Sequence, residues 1–211
     1  MTDSSRPVSL RERKKLRTRQ ALIDTALAKF TEHGFEATTL DELCAAVEVS
    51  KTTFFRYFGG KEDVVLAPVE DLWTEFLAEL ENHRPGDGTL LETLQEVLLT
   101  TLRRMPDEDW AQRVLLSRRL AARTPSIDAH GLQFCGRTTR SAIETLQCRF
   151  GLPDDAELHA RLGLDLLIAA FHRAVEMWLE RPAHTRDGLA ECVQRTFAAI
   201  PDTLTVSPRE W

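Results

Sequence analysis

Apolar residues recur along the chain with the spacing of helices rather than strands. In the first segment they fall mostly three or four positions apart and form one stripe: Leu16, Ala21, Leu22, Ile23, Ala26, Leu27 and Phe30. Such a stripe buries one side of a helix against its neighbours. Long runs of alternating β-branched residues, which are typical of strands, are missing. The pattern predicts an all-α protein whose first helix spans Leu10–Glu32.

Hydroxyl side chains mark the starts of the next helices. Ser9 and Thr39 are each followed three positions later by a glutamate, the spacing of a reciprocal capping box. Thr39 therefore opens a helix of barely two turns, residues 40–47, and Ser50 caps a third short helix, "KTTFFRYF", residues 51–58. Two short helices joined by a brief turn, with the first helix packed across them, predict a helix-turn-helix arrangement.

The rest of the chain predicts longer helices separated by proline and glycine. Breaks fall at "RPGDG", "GLPDD" and "RPAHTRDG" and at two further prolines. The expected helices are Lys61–Arg84, Thr89–Arg104, Glu108–Ala122, Ser126–Phe150, Asp154–Glu180 and Arg186–Ala199. We expect two domains: a three-helix helix-turn-helix domain with a basic arm over residues 1–60, and an antiparallel helical bundle over residues 61–211.

One of these long helices is apolar around almost its whole circumference. Its sequence, "LHARLGLDLLIAAFHRAVEMWL", leaves too little polar surface for a helix with one face in water. One side is then expected to meet its own domain and the other a second subunit. A fully internal helix is the alternative.

Charge is distributed unevenly between the two predicted domains. The 211-residue chain carries a net charge of -6, yet residues 1–66 hold 11 basic and 10 acidic residues. The acidity therefore belongs to residues 67–211. Bases crowd the start of the first helix, at Arg11, Arg13, Lys14, Lys15, Arg17 and Arg19, and Arg6 precedes it in the arm. A basic helix start is often only a solvated face, but beside a helix-turn-helix it favours contact with a polyanion.

Composition argues against several other classes of protein. The four cysteines, Cys44, Cys135, Cys148 and Cys192, lie far apart and form no metal-ligand spacing, which favours a reduced, cytosolic protein. The sequence contains no stretch of 18 uninterrupted apolar residues, so it predicts no membrane-spanning helix. GxSxG, Walker, HExxH and glycine-rich dinucleotide motifs are missing, so we expect neither an enzyme nor a cofactor.

The third short helix carries the candidate chemistry. Its first turn presents an ammonium and two hydroxyls at Lys51, Thr52 and Thr53, where a recognition helix contacts base edges. Phe54 and Phe58, four residues apart, point to one side. We expect these two rings to be core and the opposite face to meet double-stranded DNA.

Residues 10–66 resemble the DNA-binding domain of the TetR family of bacterial transcriptional regulators. The resemblance rests on "RTRQALIDTALAKFTEHGFEATTLDELCAAVEVSKTTFFRYFGGKEDVV", and the run from Thr39 to Lys61 is its most specific part. A "TFFRYF" run is typical of actinobacterial-type members. The resemblance implies an all-helical homodimer formed by the last two long helices, a palindromic DNA operator, and a small apolar or amphipathic effector bound in the C-terminal domain. The alternative is a ligand-binding or interaction protein that reads no DNA sequence.

Candidate DNA contacts follow from the helix positions together with this resemblance. Thr39 and Lys61 stand at helix N-termini, where backbone N–H groups favour phosphate. The full candidate set is Arg17, Thr39, Ser50, Lys51, Thr52, Thr53, Phe55, Arg56, Tyr57 and Lys61.

The chain departs from the family pattern at three positions. Glu48 stands where glycine is common in the turn, so a left-handed backbone there would be strained, or the turn differs. Phe55 replaces a frequent tyrosine and has no hydroxyl for phosphate, which leaves Tyr57 as the better phosphate contact. Gly60 replaces a capping serine or asparagine and weakens the start of the fourth helix by a few tenths of a kcal/mol.

Aromatic residues in the C-terminal domain are candidates for lining an effector cavity. They are Trp73, Phe76, Trp110, Phe134, Phe171 and Trp178, although each aromatic residue is more often plain core. Arg173 joins this set because a charge on a largely apolar helix needs a carboxylate, preferably one from the protein. For His130 and His172 a hydrogen-bonded core or surface role is favoured.

Overall fold

Helices account for the secondary structure of the residues that the computed structural model describes, 9–84, 86–205 and 207. In chain order they are α1 Leu10–His33, α2 Leu40–Ala46, α3 Lys51–Phe55, α4 Lys61–Asn82, α5 Leu90–Arg104, α6 Asp107–Ala121, α7 Pro125–Phe150, α8 Glu157–Leu179 and α9 Arg186–Thr205. A short 3-10 helix, Asp154–Ala156, precedes α8. No strand occurs among these residues, and the predicted all-α fold is confirmed.

Two helices end more than two residues away from their predicted C-terminal ends. α3 ends at Phe55 instead of residue 58, because the N–H groups of Arg56 and Tyr57 bond carbonyls only three residues back. α9 continues through Pro201 to Thr205, six residues beyond the predicted end at Ala199. A proline inside a helix removes one backbone donor, and α9 tolerates that loss.

The predicted caps are confirmed at the first three helices. Ser9 and Thr39 form reciprocal capping boxes with the glutamates three residues later, and Ser50 accepts a hydrogen bond from the Thr53 N–H. Hydrogen bonds from the backbone N–H and hydroxyl of Thr39 hold the pKa of Glu42 below its usual value. These caps fix where the helices of the helix-turn-helix begin.

The described residues up to Ala67 form one compact unit together with Leu116–His130. The buried stripe of α1 packs with α2, α3 and the start of α4, and the added segment contributes Leu120, Ala121 and Ile127 to the same core. This division of the chain differs from the domain boundary that we expect from the sequence at residue 60. The reason is that the end of α6 supplies apolar side chains to the core of the first unit. Leu16 does not belong to the buried stripe: it is 61% exposed, since the first two turns of α1 have no buried face.

A second unit comprises Pro68–Leu115 and the described residues from Gly131 onward. Its core is built from α4 to α9, with α5, α8 and α9 packed against one another. Gly163 lets α8 approach α5 closely, because a Cβ there would lie 3.2 Å from Leu90 Cδ2. The indole N–H groups of Trp110 and Trp178 are satisfied by backbone carbonyls of Pro68 and Thr185.

Lys61, the first residue of α4, ties that helix to the loop between α1 and α2. Its ammonium donates hydrogen bonds of 2.7 Å to the Phe35 carbonyl and 3.0 Å to the Thr38 carbonyl. The same ammonium lies 4.4 Å from the centroid of the Phe35 ring. A single side chain thus holds the loop that leads into α2.

The turn between α2 and α3 contains a left-handed residue with a side chain. Glu48 has a φ of 54° and is exposed, so no packing of its side chain compensates for that conformation. The Cβ of a non-glycine residue is crowded in this region, which costs about 1 kcal/mol. The strain expected from the sequence at this position is therefore present.

Glu48→Gly is expected to raise the free energy of unfolding by about 1 kcal/mol, because glycine adopts the left-handed turn without a Cβ clash. Urea denaturation followed by circular dichroism measures the change. Glu48→Ala is the matched control: it removes the same charge but keeps the Cβ, and we expect no gain. Equal stabilisation by both variants would contradict the account and point to the charge.

Lys61→Met is expected to lower the free energy of unfolding by about 2 kcal/mol, because it keeps much of the apolar stem but removes two charge-assisted hydrogen bonds to backbone carbonyls. The measurement is again urea denaturation. Lys15→Met, on the exposed start of α1, serves as the control and should leave stability unchanged. Identical curves for the two variants would show that the Lys61 bonds stabilise nothing.

Candidate nucleic-acid interface

The helix α3 is too short to be stable by itself. Five residues make little more than one turn, and an isolated helix of that length does not form in water. Burial of Phe54 and Phe58 holds it in place, with the two ring centroids 5.7 Å apart. The expectation that these two phenylalanines are core is confirmed.

The opposite side of α3 is open to solvent. Lys51, Thr52, Phe55 and Arg56 are exposed, and Phe55 exposes 53% of its surface although its edge packs on Phe54. An ammonium, a hydroxyl, a guanidinium and an apolar ring on one short surface suit the edges and backbone of a DNA groove. Phe55 has the chemistry for an apolar contact such as the thymine methyl group.

Thr53 and Tyr57 flank this surface and are half-buried. The Thr53 hydroxyl lies 3.1 Å from that of Ser50, and the Arg56 guanidinium lies 5.9 Å from the centroid of the Tyr57 ring. The Ser50 hydroxyl is therefore engaged within the protein, where it also accepts the Thr53 N–H and caps α3. Contacts of these residues with DNA stay a prediction.

Lys51 has a partner that the sequence did not indicate. Its ammonium lies 2.9 Å from the Asp41 carboxylate at the start of α2, and both side chains are exposed. An exposed pair of this kind contributes less than about 1 kcal/mol. A phosphate oxygen can therefore replace the Asp41 carboxylate at small cost.

The polar groups of Thr39 are engaged in the capping box with Glu42. Its hydroxyl donates to Glu42 Oε2 at 2.9 Å, and its backbone N–H donates to the same oxygen at 2.7 Å. A phosphate at this helix start would have to displace the Glu42 carboxylate, because both are acceptors only.

Lys61 has protein partners that the sequence did not indicate. The ammonium expected to contact phosphate faces the protein, where it bonds the two loop carbonyls. Acidic residues also fill the first turn of α4: Glu62 stands there with Asp63, whose carboxylate accepts from the Gly59 N–H at 2.5 Å. Lys61 thus holds the α1–α2 loop, and the carboxylates of the first turn lie where the helix dipole favours negative charge. A contact of Lys61 with phosphate stays a prediction.

The basic start of α1 remains available. Arg17 is exposed, and so are the other basic residues of the first two turns, Arg11, Arg13, Lys14 and Lys15. Arg6 lies outside the described residues. Arg19 differs, because the residue is half-buried and its guanidinium lies 5.4 Å from the centroid of the Phe58 ring, three residues after the end of α3. Arg19 therefore supports the packing of Phe58 and does not belong to the exposed basic surface of α1.

The aromatic candidates for an effector cavity belong to the core of the second unit. Trp73 packs edge-on against Phe76 and Phe171, with centroids 5.3 and 5.2 Å away. Trp110 and Trp178 are also buried, whereas Phe134 is half-buried beneath the guanidinium of Arg137. Their role toward a ligand stays a prediction.

Arg173 and the histidines have protein partners. The Arg173 guanidinium lies 2.9 Å from the Glu176 carboxylate, which confirms the expected protein partner. The reason given for that partner was wrong, because both side chains are exposed on α8. His130 Nε2 lies 2.5 Å from Asp63 Oδ1, a hydrogen bond between α7 and α4, and His172 is half-buried.

A groove between α8 and α9 was not predicted. It has a volume of about 410 Å³ and is lined by Leu166, Arg173, Met177 and Ile200 among others. Only the packing of the two helices creates it, although the apolar circumference of α8 pointed to a surface of this kind. No described helix is long and apolar enough to cross a bilayer.

Comparison with known proteins agrees with this geometry. A family model described as bacterial regulatory proteins, tetR family, matches residues 22–67, which hold α2, α3 and their partners. The HTH-type transcriptional regulator TcmR of Streptomyces glaucescens is 32% identical over 201 residues, covering 92% of this chain and 86% of that protein. The probable acrEF/envCD operon repressor of Escherichia coli K12 is 28% identical over 110 residues, covering 52% of this chain and 43% of that protein.

The fold has the same relatives among solved structures. A putative TetR-family transcriptional regulator from Syntrophomonas wolfei superposes with a TM-score of 0.59 at 19% identity, covering 90% of this chain and 98% of that one. Together with the match to TcmR over nearly the whole chain, the helix-turn-helix shows that this protein belongs to the tetR family of bacterial regulatory proteins and is a DNA-binding transcriptional regulator.

Proposed function

We propose that the protein is a cytoplasmic repressor that binds a two-fold symmetric operator as a homodimer and is released by a small effector. The observation that carries this proposal is α3, a helix held by Phe54 while Lys51, Thr52, Phe55 and Arg56 stay exposed. A helix anchored on one side and polar on the other is what insertion into a major groove requires.

The exposed residues divide into positioning and reading groups. Lys51, Arg56 and Arg17 carry charges that attract phosphates of any sequence. Thr52 has a hydroxyl and a methyl group on the first turn of α3, and Phe55 presents an apolar ring, so these two side chains can distinguish base edges. Specificity is therefore assigned to Thr52 and Phe55.

A second copy of the chain is proposed to cover the outer faces of α8 and α9. Leu158, Leu162 and Leu166 are exposed on α8 at four-residue intervals, and Leu204 is exposed on α9. With the groove between the two helices they form one apolar surface, which a two-fold interface would bury on both copies. Such a dimer presents two copies of α3 to half-sites about one helical turn apart or slightly more.

The effector is proposed to act through the second unit and α4. A small apolar or amphipathic molecule there must favour the non-binding conformation by roughly 5 kcal/mol to change the protein from mostly bound to mostly released. α4 begins at Lys61, next to the helix-turn-helix, and ends at Asn82 in the second unit. Pro68 interrupts its backbone hydrogen bonding on the way.

Thr52→Val is expected to change the preferred base at one position of each half-site by about tenfold, because valine keeps the methyl contact but loses the hydroxyl. Competition between operator variants measures this preference. Lys51→Ala is the comparison: it should weaken binding to all sequences alike and reduce the salt slope by about one. A uniform loss with Thr52→Val would remove that residue from the reading group.

Leu162→Glu is expected to shift the protein from dimer to monomer, since it places a charge in the centre of the proposed α8–α9 interface. Sedimentation velocity at micromolar concentration gives the readout. Leu132→Glu is the matched control, because Leu132 is also exposed but lies on α7. An unchanged dimer in Leu162→Glu, or equal dissociation of both variants, would place the interface elsewhere.

A further inference from the structure

A second groove lies wholly within the first unit and has no role in the function proposed above. It has a volume of about 740 Å³ and runs between the end of α1, the α1–α2 loop and the end of α6. Its floor is apolar, made by Phe30 and Phe35 on one side and Leu116 and Leu120 on the other. We call it the α1–α6 groove.

Two arginines stand on the rim of the α1–α6 groove. Arg119 is in the last turn of α6 and Arg123 follows four residues later, and both are exposed. Within the part of the chain that the structure describes, neither guanidinium has an ion pair or a hydrogen bond. Glu36 supplies one carboxylate to the same lining, so the rim carries an excess of positive charge.

Positive charge continues beside the groove. Arg118 faces an adjoining cavity of about 320 Å³ that shares Arg123, Thr124 and Pro125 with the groove lining. The Nε atom of Arg118 is buried without a hydrogen-bond partner among the described residues. Asp128 also lines this cavity, so Arg118 and Arg123 exceed its acidic residues by one. The end of α6 and the turn after it thus gather more guanidinium groups than carboxylates.

The combination of floor and rim defines the chemistry of a ligand. Guanidinium groups bind the oxygens of a carboxylate, sulfonate or phosphate with charge-assisted hydrogen bonds. The apolar floor, in contrast, suits the hydrocarbon or aromatic part of a ligand. We propose that the α1–α6 groove binds an amphipathic organic anion, with its acidic head on Arg119 and Arg123 and its apolar part on the phenylalanines and leucines of the floor.

Occupancy of this groove would act on the α1–α2 loop. Gly34 and Phe35 line the groove, and the Phe35 carbonyl is one of the two held by Lys61. The loop is also closed on itself, because the Thr38 hydroxyl donates to the Gly34 carbonyl at 2.9 Å. A ligand that shifts this loop moves the start of α2; the resulting change in DNA affinity rests on the proposed function, but binding to the groove does not.

The test compares two fluorescent probes that share one ring system. 8-Anilinonaphthalene-1-sulfonate is the anion, and N-phenyl-1-naphthylamine is the same skeleton without the sulfonate. Both are titrated into the full chain without DNA, so the result is independent of whether the protein binds an operator. For Arg119→Gln/Arg123→Gln we expect the Kd of the sulfonate to rise about tenfold or more and that of the neutral probe to change less than twofold.

Three further variants give the opposite sign, the background and the effect of keeping the charge. Glu36→Gln should lower the Kd of the sulfonate about twofold, because it removes a like charge from the rim. Arg140→Gln, an exposed arginine of α7, should leave both probes unchanged. Arg119→Lys/Arg123→Lys keeps the charge and should lose less affinity than the glutamine variant.

The proposal is overturned if the wild-type chain shows no saturable binding of the sulfonate, or if its Kd stays within twofold in Arg119→Gln/Arg123→Gln. Parallel weakening of both probes would also overturn it, since the arginines would then affect only the apolar floor. Thermal unfolding by circular dichroism establishes that each variant is folded before titration.

Discussion

The burial of Phe54 is the constraint on which the DNA-reading surface depends. α3 has five residues, and neither its cap at Ser50 nor its backbone hydrogen bonds could hold it alone. With the Phe54 ring in the core, helical geometry turns Lys51, Thr52 and Phe55 away from the protein. The same side chain thus determines both the position of the helix and the face that it exposes.

Other contacts of the first unit support that placement. Arg19 lies against the Phe58 ring, and Lys61 ties the α1–α2 loop to α4. The backbone of Glu48 is in the strained left-handed conformation, which forms the tight turn between α2 and α3. Strain of this kind persists where the surrounding structure determines the conformation, and here both flanking helices are anchored in the core.

Local signals in the sequence were enough to predict the helices and the core face of α3. Capping residues, apolar spacing and breakers act over a few residues, which is why Ser9, Thr39 and Ser50 were read correctly. What escaped prediction depends on contacts between distant residues. The ammonium of Lys61 turns inward to carbonyls 23 and 26 residues away, and neither its charge nor its place at a helix start revealed this. The α8–α9 groove was missed for the same reason, because it exists only once the two helices pack.

Selection of DNA from a random duplex pool by the full chain at low salt, followed by sequencing of the retained fragments, tests the central claim most directly. If α3 reads bases while anchored by Phe54, the fragments will share a two-fold symmetric motif with half-sites about one helical turn apart or slightly more. Retained fragments without any common sequence would contradict the account, because they would show a basic surface that binds phosphates and reads nothing.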